Sequence, residues 1–314
     1  MSLSLFVGKS IFLVESTIYS KNRRYNFIYR IDRRFKKGNS KRIALFVLIS
    51  CEYWKRYVNF SLGREKGVIF MNEMIHKMEQ HVSVRKYKEE SIPKDVVERM
   101  VQAGQHAASS HFVQAYSVIY VTDQDLKAKL AELSGNRHVK DCAAFFVCCA
   151  DLKRLEMACE KHGTEIKHEG VEDFIVATVD ASLFAQNLAL AAESLGYGIC
   201  YIGGIRNNPR EVSELLHLPD KVYPVFGMTV GVPDEDHGVK PRLPVAAILH
   251  ENGYDEKKYD ELLNEYDETM SAYYKERSSN KKSVTWTESM SSFMSKEKRM
   301  HMKEFLNEKG LNKK

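Results

Sequence analysis

In the stretch His81-Val82-Ser83-Val84-Arg85, polar residues alternate with valines. An extended backbone therefore sets His81, Ser83 and Arg85 on one side. An imidazole, a hydroxyl and a guanidinium in a row can hold a phosphate by charge-assisted hydrogen bonds. Alone, the pattern is also that of an exposed strand face. A second candidate is Lys240-Pro241-Arg242-Leu243-Pro244, where the prolines fix φ and set the direction of two cations with little entropy left to lose. A third is Tyr201-Ile202-Gly203-Gly204, a strand ending in paired glycines, which lets a flat ligand approach the backbone. Other chemistries find little support. Gly196-x-Gly198 has two glycines of a dinucleotide loop, but a helix precedes it and a strand follows, the reverse of what a pyrophosphate site needs. Tyr201 also stands where the third glycine belongs, so Gly196 reads as a helix C-cap. His162 and His168 lack metal-ligand spacing. No G-x-S-x-G or G-x-x-x-x-G-K-[ST] pattern supports a hydrolase elbow or a P-loop.

Residues 71–314 read as one α+β domain that positions these groups. A short helix over 74–80 leads into the extended 81–87. Pro93 opens a helix to about 106, with its missing N–H at a harmless early position. Residues 115–122 are rich in β-formers, and Asp123 then caps a helix to about 133. The continuous apolar run 142–150 has the length of a central strand. Residues 171–195 form the clearest helix, apolar almost all round, and expected to be buried at the centre. Asp173, Asp180, Gln186, Asn187 and Glu193 exclude a membrane span there. Strands follow over 198–202 and 222–232, with a helix over 209–216 between them. From about residue 254 a polar helical tail carries an aromatic stripe, Tyr259, Tyr266, Tyr273 and Tyr274, and is expected to pack across a partner subunit.

Charge divides the chain. Its 314 residues hold 47 Lys+Arg and 42 Asp+Glu, a net of +5. Residues 1–70 carry 15 of the basic and 4 of the acidic residues, so the remainder has a net charge of −6. That acidic balance argues against a nucleic-acid partner for the larger part. A hydrophobic fraction of 44% excludes global disorder. Six cysteines without C-x-x-C spacing read as reduced, mostly buried thiols of a cytoplasmic protein. In residues 1–70, apolar bursts over 11–14 and 43–49 fall short of the ~20 residues a membrane span needs, and a secretory signal is not evident. A basic, aromatic segment could bind nucleic acid, which leaves a flavin-binding or nucleic-acid-binding protein using this segment as the alternative to the enzyme reading below. A more economical reading starts from Glu65-Lys66-Gly67-Val68, which a purine-rich, ribosome-binding-like tract can encode, with Met71 and Met74 just beyond. Residues 1–70 are then expected to be a poorly ordered product of upstream translation.

The segments His81-x-Ser83-x-Arg85, Ala108-Ser109-Ser110-His111-Phe112, Ala192-Glu193-Ser194-Leu195-Gly196, Tyr201-Ile202-Gly203-Gly204-Ile205-Arg206-Asn207-Asn208 and Lys240-Pro241-Arg242-Leu243-Pro244 occur in this order. With the tail motif Tyr274-x-x-Arg277-x-x-Asn280 they resemble the nitroreductase superfamily, in particular its NADPH-dependent flavin-reductase and oxygen-insensitive nitroreductase group. The resemblance spans about residues 74–314. It implies an α+β fold with a mixed central sheet packed with helices, an intertwined homodimer, a helical C-terminal tail and one FMN per subunit at the dimer interface. By the same resemblance, His81, Ser83 and Arg85 contact the FMN phosphate and ribityl side, and Lys240 and Arg242 complete a cationic cradle. Ser109 and Ser110 meet the polar edge of the flavin, Asn136 stands at a position that is usually Gln, and Tyr201 and Ile202 lead into Gly203 and Gly204, whose N–H groups lie near the reactive ring nitrogen. Arg277, with Lys281 and Lys282 nearby, grips the 2′-phosphate of NADPH. Lys282 stands where relatives often carry Arg, which leaves NADH open as a second donor. The implied reaction passes a hydride from NADPH to FMN and on to free flavin, a nitroaromatic, a quinone or an azo dye, in ping-pong order, with no catalytic side chain and no metal.

Overall fold

The computed structural model describes residues 2–7, 10–21, 24–31, 72–235, 238–276 and 284–313. The chain divides into two compact units, Met1–Met71 and Asn72–Lys314. In the first, strands β1 (Ser2–Val7), β2 (Ser10–Lys21) and β3 (Arg24–Ile31) form an antiparallel sheet in the order β1-β2-β3. The strands are rich in Ile, Val, Phe and Tyr, which suit a pleated backbone.

In the second unit, helix α1 (Glu73–Glu79) leads into the extended 81–88 segment, and α2 (Lys94–Gln105) follows Pro93. Strand β4 (Tyr116–Val121) runs to Asp123, whose carboxylate accepts from the Leu126 N–H at 2.7 Å and caps α3 (Gln124–Ser134). Then come α4 (His138–Asp141), β5 (Ala144–Asp151) and α5 (Lys153–Lys161). The long helix α6 (Val171–Ser194) precedes β6 (Gly198–Ile202), α7 (Pro209–Leu215) and β7 (Val222–Gly231). The sheet order is β4-β5-β7-β6, and all of these pairings are antiparallel. Its mixed character comes from one parallel bridge, Ser83 to Ile199, on the free side of β6.

Every residue of β5 is buried, as its unbroken apolar run requires. Phe146, Cys148 and Ala150 face α2 and α6, whereas Phe145, Val147 and Cys149 join the core that includes Leu130 of α3 and Val212 of α7. Ala181, Ala185, Ala189 and Ala192 give α6 a small-residue face that packs close to the sheet. Gly104 of α2 makes room for Phe184, whose ring would lie 2.6 Å from a Cβ at that position. The opposite face of α6 differs from the expectation of a helix buried all round. Val171, Ile175, Val179 and Leu183, four residues apart, are each 41–47% exposed. This helix is long and apolar enough to cross a membrane by length and composition, but its inner face is committed to the sheet and carries buried Asp180.

The tail holds α8 (Val245–Ile248), α9 (Tyr259–Glu276), α10 (Trp286–Met294) and α11 (Met302–Glu308). Tyr266, Met270 and Tyr274 of α9 form a small core with Leu243 and Trp286. The end of the tail departs from the expected packing across a partner. Phe305, Leu306 and Leu311 enter the core of their own chain. Arg210 pairs with Glu308 through two hydrogen bonds of 2.6 Å, and the Lys309 ammonium donates to the Leu218 carbonyl at 2.7 Å.

Candidate functional site

The alternating segment runs beside β6. Ser83 bridges Ile199, and the Val84 N–H donates to the Ile199 carbonyl at 2.9 Å. Gly198 permits this approach, since a Cβ there would lie 2.5 Å from Val84 Cγ2. The segment is held at both ends by carboxylates. His81 Nδ1 donates to Glu193 Oε1 at 2.6 Å, and Glu235 Oε1 accepts the backbone N–H groups of Arg85 and Lys86 at 2.7 and 3.1 Å. The Arg85 guanidinium donates to the Ser83 carbonyl at 3.3 Å and stays exposed. Its charge reaches two neighbours. Burial pushes the buried Cys200 thiol up, while Arg85 and a hydrogen bond from Ser83 pull it back. Burial, and then Arg85, push His138 down, and His138 Nε2 is buried without a hydrogen-bond partner.

Tyr201 lies next along β6, its ring set edge-on to Phe226 and its hydroxyl donating to Gln186 Oε1 at 3.3 Å. Burial raises its phenol well above the ordinary value, with Cys148 and Glu193 adding to the effect. Ile202 is 2% exposed, so its side chain belongs to the core and only its backbone can meet a ligand. The strand then turns into a 3-10 segment, Gly203–Asn207. Its two glycines differ. The nearest atom to a Cβ at Gly203 would be an Arg206 nitrogen at 3.5 Å, an ordinary contact. At Gly204 the Cβ would lie 2.1 Å from the Ser134 carbonyl oxygen and 2.4 Å from Asn136 Nδ2. Gly203 therefore has an open side for a flat ligand, and Gly204 is a glycine because α3 ends against it.

That helix end explains Asn136. Gly135 adopts φ +67°, and the free carbonyls of the last turn are taken by side-chain amides. Asn136 and Asn207 donate to Ser134 O at 2.7 and 3.2 Å, and Asn208 donates to Leu133 O at 2.7 Å. The amide nitrogen of Asn136 is thus a helix cap, and only its oxygen is left for a ligand.

Ser109 and Ser110 sit in a loop where His111, Phe112 and Gln114 have φ of +49°, +59° and +51°, a region that non-glycine residues enter at a cost. Buried Asp180 of α6 holds the loop. Its carboxylate accepts from Ser109 Oγ at 2.7 Å, Ala115 N at 3.0 Å and Ser110 N at 3.4 Å. Ser109 Oγ also accepts from Gln114 N at 2.8 Å. Its proton is therefore directed at Asp180. Ser110 Oγ, 3.1 Å from His111 Nδ1, remains at the surface.

Lys240 and Arg242 are exposed and are held by the arm of the tail. Lys240 lies 5.6 Å from the centre of the Tyr274 ring, and the Tyr266 hydroxyl donates to Pro241 O at 2.9 Å. Arg277, Lys281 and Lys282 lie outside the described residues. Sequence reasoning left Asp180, Glu193 and Glu235 without roles. The one signal for them was an acidic residue inside an otherwise apolar helix, which Asp180 and Glu193 gave.

Comparison with known proteins matches residues 78–232 to the Nitroreductase family and residues 240–314 to the Nitroreductase family, C-terminal domain. A "CR(VI) reductase" of Pseudomonas sp. (strain G-1) is 52% identical over 236 residues, covering 75% of this chain and 97% of that protein. "FMN reductase (NADPH)" of Bacillus subtilis (strain 168) is 42% identical over 248 residues, covering 77% of this chain and all of that protein. Among solved structures, NfrA1 of B. megaterium superposes with a TM-score of 0.75 at 43% identity, over 77% of this chain and 100% of its own. NADPH:FMN oxidoreductase from Vibrio harveyi, complexed with NAD+, does so with a TM-score of 0.71 at 37% identity and the same coverage. With both family regions matched and relatives covered over almost their whole length, the chain belongs to the nitroreductase family.

Proposed function

We propose that residues 72–314 form an FMN-dependent NAD(P)H oxidoreductase, a flavin reductase and nitroreductase that acts as a homodimer on small-molecule electron acceptors. The observation that carries this reading is the placement of the His81–Ser83–Arg85 face and the open side of Gly203 along one strand, β6. The residues fit FMN. An exposed guanidinium, a serine and an imidazole suit a phosphate, the unpartnered His138 Nε2 lies within reach of the Arg85 charge, and Gly203 leaves room for a ring. When bound, FMN supplies the electron-accepting ring that links the donor to the acceptor.

The chain's own residues bind and orient. Arg85, His81 and Ser83 hold the phosphate side, with Lys240 and Arg242 brought up by the arm. The Gly203 N–H, Ser110 and the Asn136 oxygen bound the ring, and Tyr201 closes the space behind it. Arg277, Lys281 and Lys282 take the 2′-phosphate of NADPH. Donor and acceptor use one pocket in turn, so double-reciprocal plots at several acceptor concentrations run parallel. The dimer is supported by the apolar stripe of α6, continued by exposed Met74, Ile75 and Met78 of α1. Buried free thiols at Cys142, Cys148, Cys149 and Cys200 suit the reducing cytoplasm.

The test is direct. Purified protein, reconstituted with FMN and gel-filtered, retains a yellow flavin that NADPH bleaches and a nitroaromatic or free FMN restores. Protein that retains no flavin and gains no NADPH oxidation on adding it refutes the reading.

A further inference from the structure

Glu193 has no part in the site as assigned above, yet its surroundings mark it. It lies in the last turn of α6, where the partial negative charge of the helix end disfavours a carboxylate. It is not released to solvent there. Its side chain is 13% exposed, and it accepts from His81 Nδ1 at 2.6 Å, from a residue 112 positions away. Its charge also contributes, after burial and Cys148, to raising the phenol of Tyr201. Glu193 therefore stands between two residues assigned to opposite ends of the cofactor.

An imidazole on an extended segment can rotate about two side-chain bonds, and a ligand that needs one nitrogen must first fix that freedom. A carboxylate on Nδ1 fixes both the ring plane and the nitrogen that bears the proton, as outer carboxylates do for metal-bound histidines. Nε2, on the other side of the ring, is then the nitrogen left to a ligand. Ser83 and Arg85 follow at alternate positions of the same extended segment, which sets them on the side of His81. We infer that Glu193 is a positioning residue that orients His81 toward the phosphate of the flavin and so helps the site select FMN over riboflavin. The inference rests on the FMN reading, and its consequence is narrow. Loss of Glu193 weakens recognition of the phosphate and leaves recognition of the ring alone.

The full-length apoprotein is titrated with FMN and with riboflavin, which share a ring and differ in the phosphate. Glu193→Leu, which fills the space without an acceptor, lowers FMN affinity about tenfold and leaves riboflavin affinity unchanged. Glu193→Gln, which keeps an acceptor oxygen, restores most of the loss. In a His81→Ala background, Glu193→Leu causes no further loss, because the two residues act as one unit. Equal losses for both flavins, an unchanged FMN affinity, or losses that add fully with His81→Ala would each overturn the inference. If Glu193→Leu does not fold, Glu193→Ala carries the same comparison. Wild-type protein that binds neither flavin overturns the FMN reading itself, a result distinct from any of these.

Discussion

Gly203 and Gly204 are adjacent and identical in sequence, but the structure gives them opposite tasks, and alanine substitution separates these. At Gly204 the added Cβ would lie 2.1 Å from a backbone oxygen, Ser134 O, and 2.4 Å from Asn136 Nδ2. Real carbon atoms do not approach so closely. The oxygen cannot retreat alone, because it accepts hydrogen bonds from Asn136 and Asn207 and ends the helix that Gly135 terminates. Overpacking of this kind costs about 1–3 kcal/mol, and in a domain of this size each kcal/mol lowers the melting temperature by about 2–4 °C. Gly204→Ala is therefore expected to melt about 2–12 °C below the wild type. At Gly203 the nearest atom would be at 3.5 Å, so Gly203→Ala melts with the wild type. Its methyl group instead enters the space assigned to the flavin, and kcat/KM falls. Far-ultraviolet circular dichroism on the apoproteins reads the first effect, and steady-state NADPH oxidation reads the second. A Gly204→Ala protein with wild-type melting refutes the packing argument. A Gly203→Ala protein with unchanged FMN affinity and turnover shows that its open side is not the ligand face.

Three further outcomes are expected. Arg85→Ala and Lys240→Ala each weaken FMN retention on gel filtration by about tenfold or more, the loss of one charge-assisted contact; unchanged retention in both removes the phosphate cradle. Arg277→Ala raises the KM for NADPH more than that for NADH, and equal effects argue against a 2′-phosphate contact. Glu156 is held by the ammonium groups of Lys153 and Lys221, the latter at 2.7 Å, which bring its carboxyl from the ordinary 4.5 down to about 2. A carboxyl depressed on folding adds stability at pH above its unfolded value and loses it as pH falls through the folded one. The stability difference between wild type and Glu156→Gln in urea is thus constant above about pH 5 and shrinks steadily toward pH 2, and a pH-independent difference contradicts the pairing.

Where a residue's role is set by its chain neighbours, the sequence is informative. The run 142–150 is apolar at every position because β5 is covered on both faces. Asp123 caps its helix three residues on, and Gly196, at φ +88°, ends α6 as its place after the periodic stretch implied. Helix α5 escaped notice because it is short and none of its residues is buried, so Leu155, Ala158 and Cys159 make only a brief apolar stripe. The tail's aromatic stripe is real, since Tyr266 and Tyr274 are buried, but periodicity cannot say whose surface a stripe meets, and Phe305 and Leu306 met their own chain's.

The sequence offers candidate site residues and not their directions. Spacing and resemblance gave Ser109 and Asn136 as loop residues and Gly204 as a strand-end residue. They could not show that the Ser109 proton points at Asp180, 71 positions later, that the Asn136 nitrogen caps α3, or that Gly204 faces Ser134. The reason is physical. A hydroxyl or an amide has several partners within rotation of one bond, and burial decides among them, because a carboxylate such as Asp180 at 2% exposure must be satisfied from within. The same reasoning gives the loop its form. His111, Phe112 and Gln114 have no local reason to adopt positive φ, and the hydrogen bonds that Asp180 collects from Ser109, Ser110 and Ala115 offset that strain. A buried acid on a core helix thus shapes a surface loop at the site, as Glu193 on the same helix shapes the approach to His81. Helix α6 does more than fill the core, since its acidic residues determine which polar groups of the site are left to face a ligand.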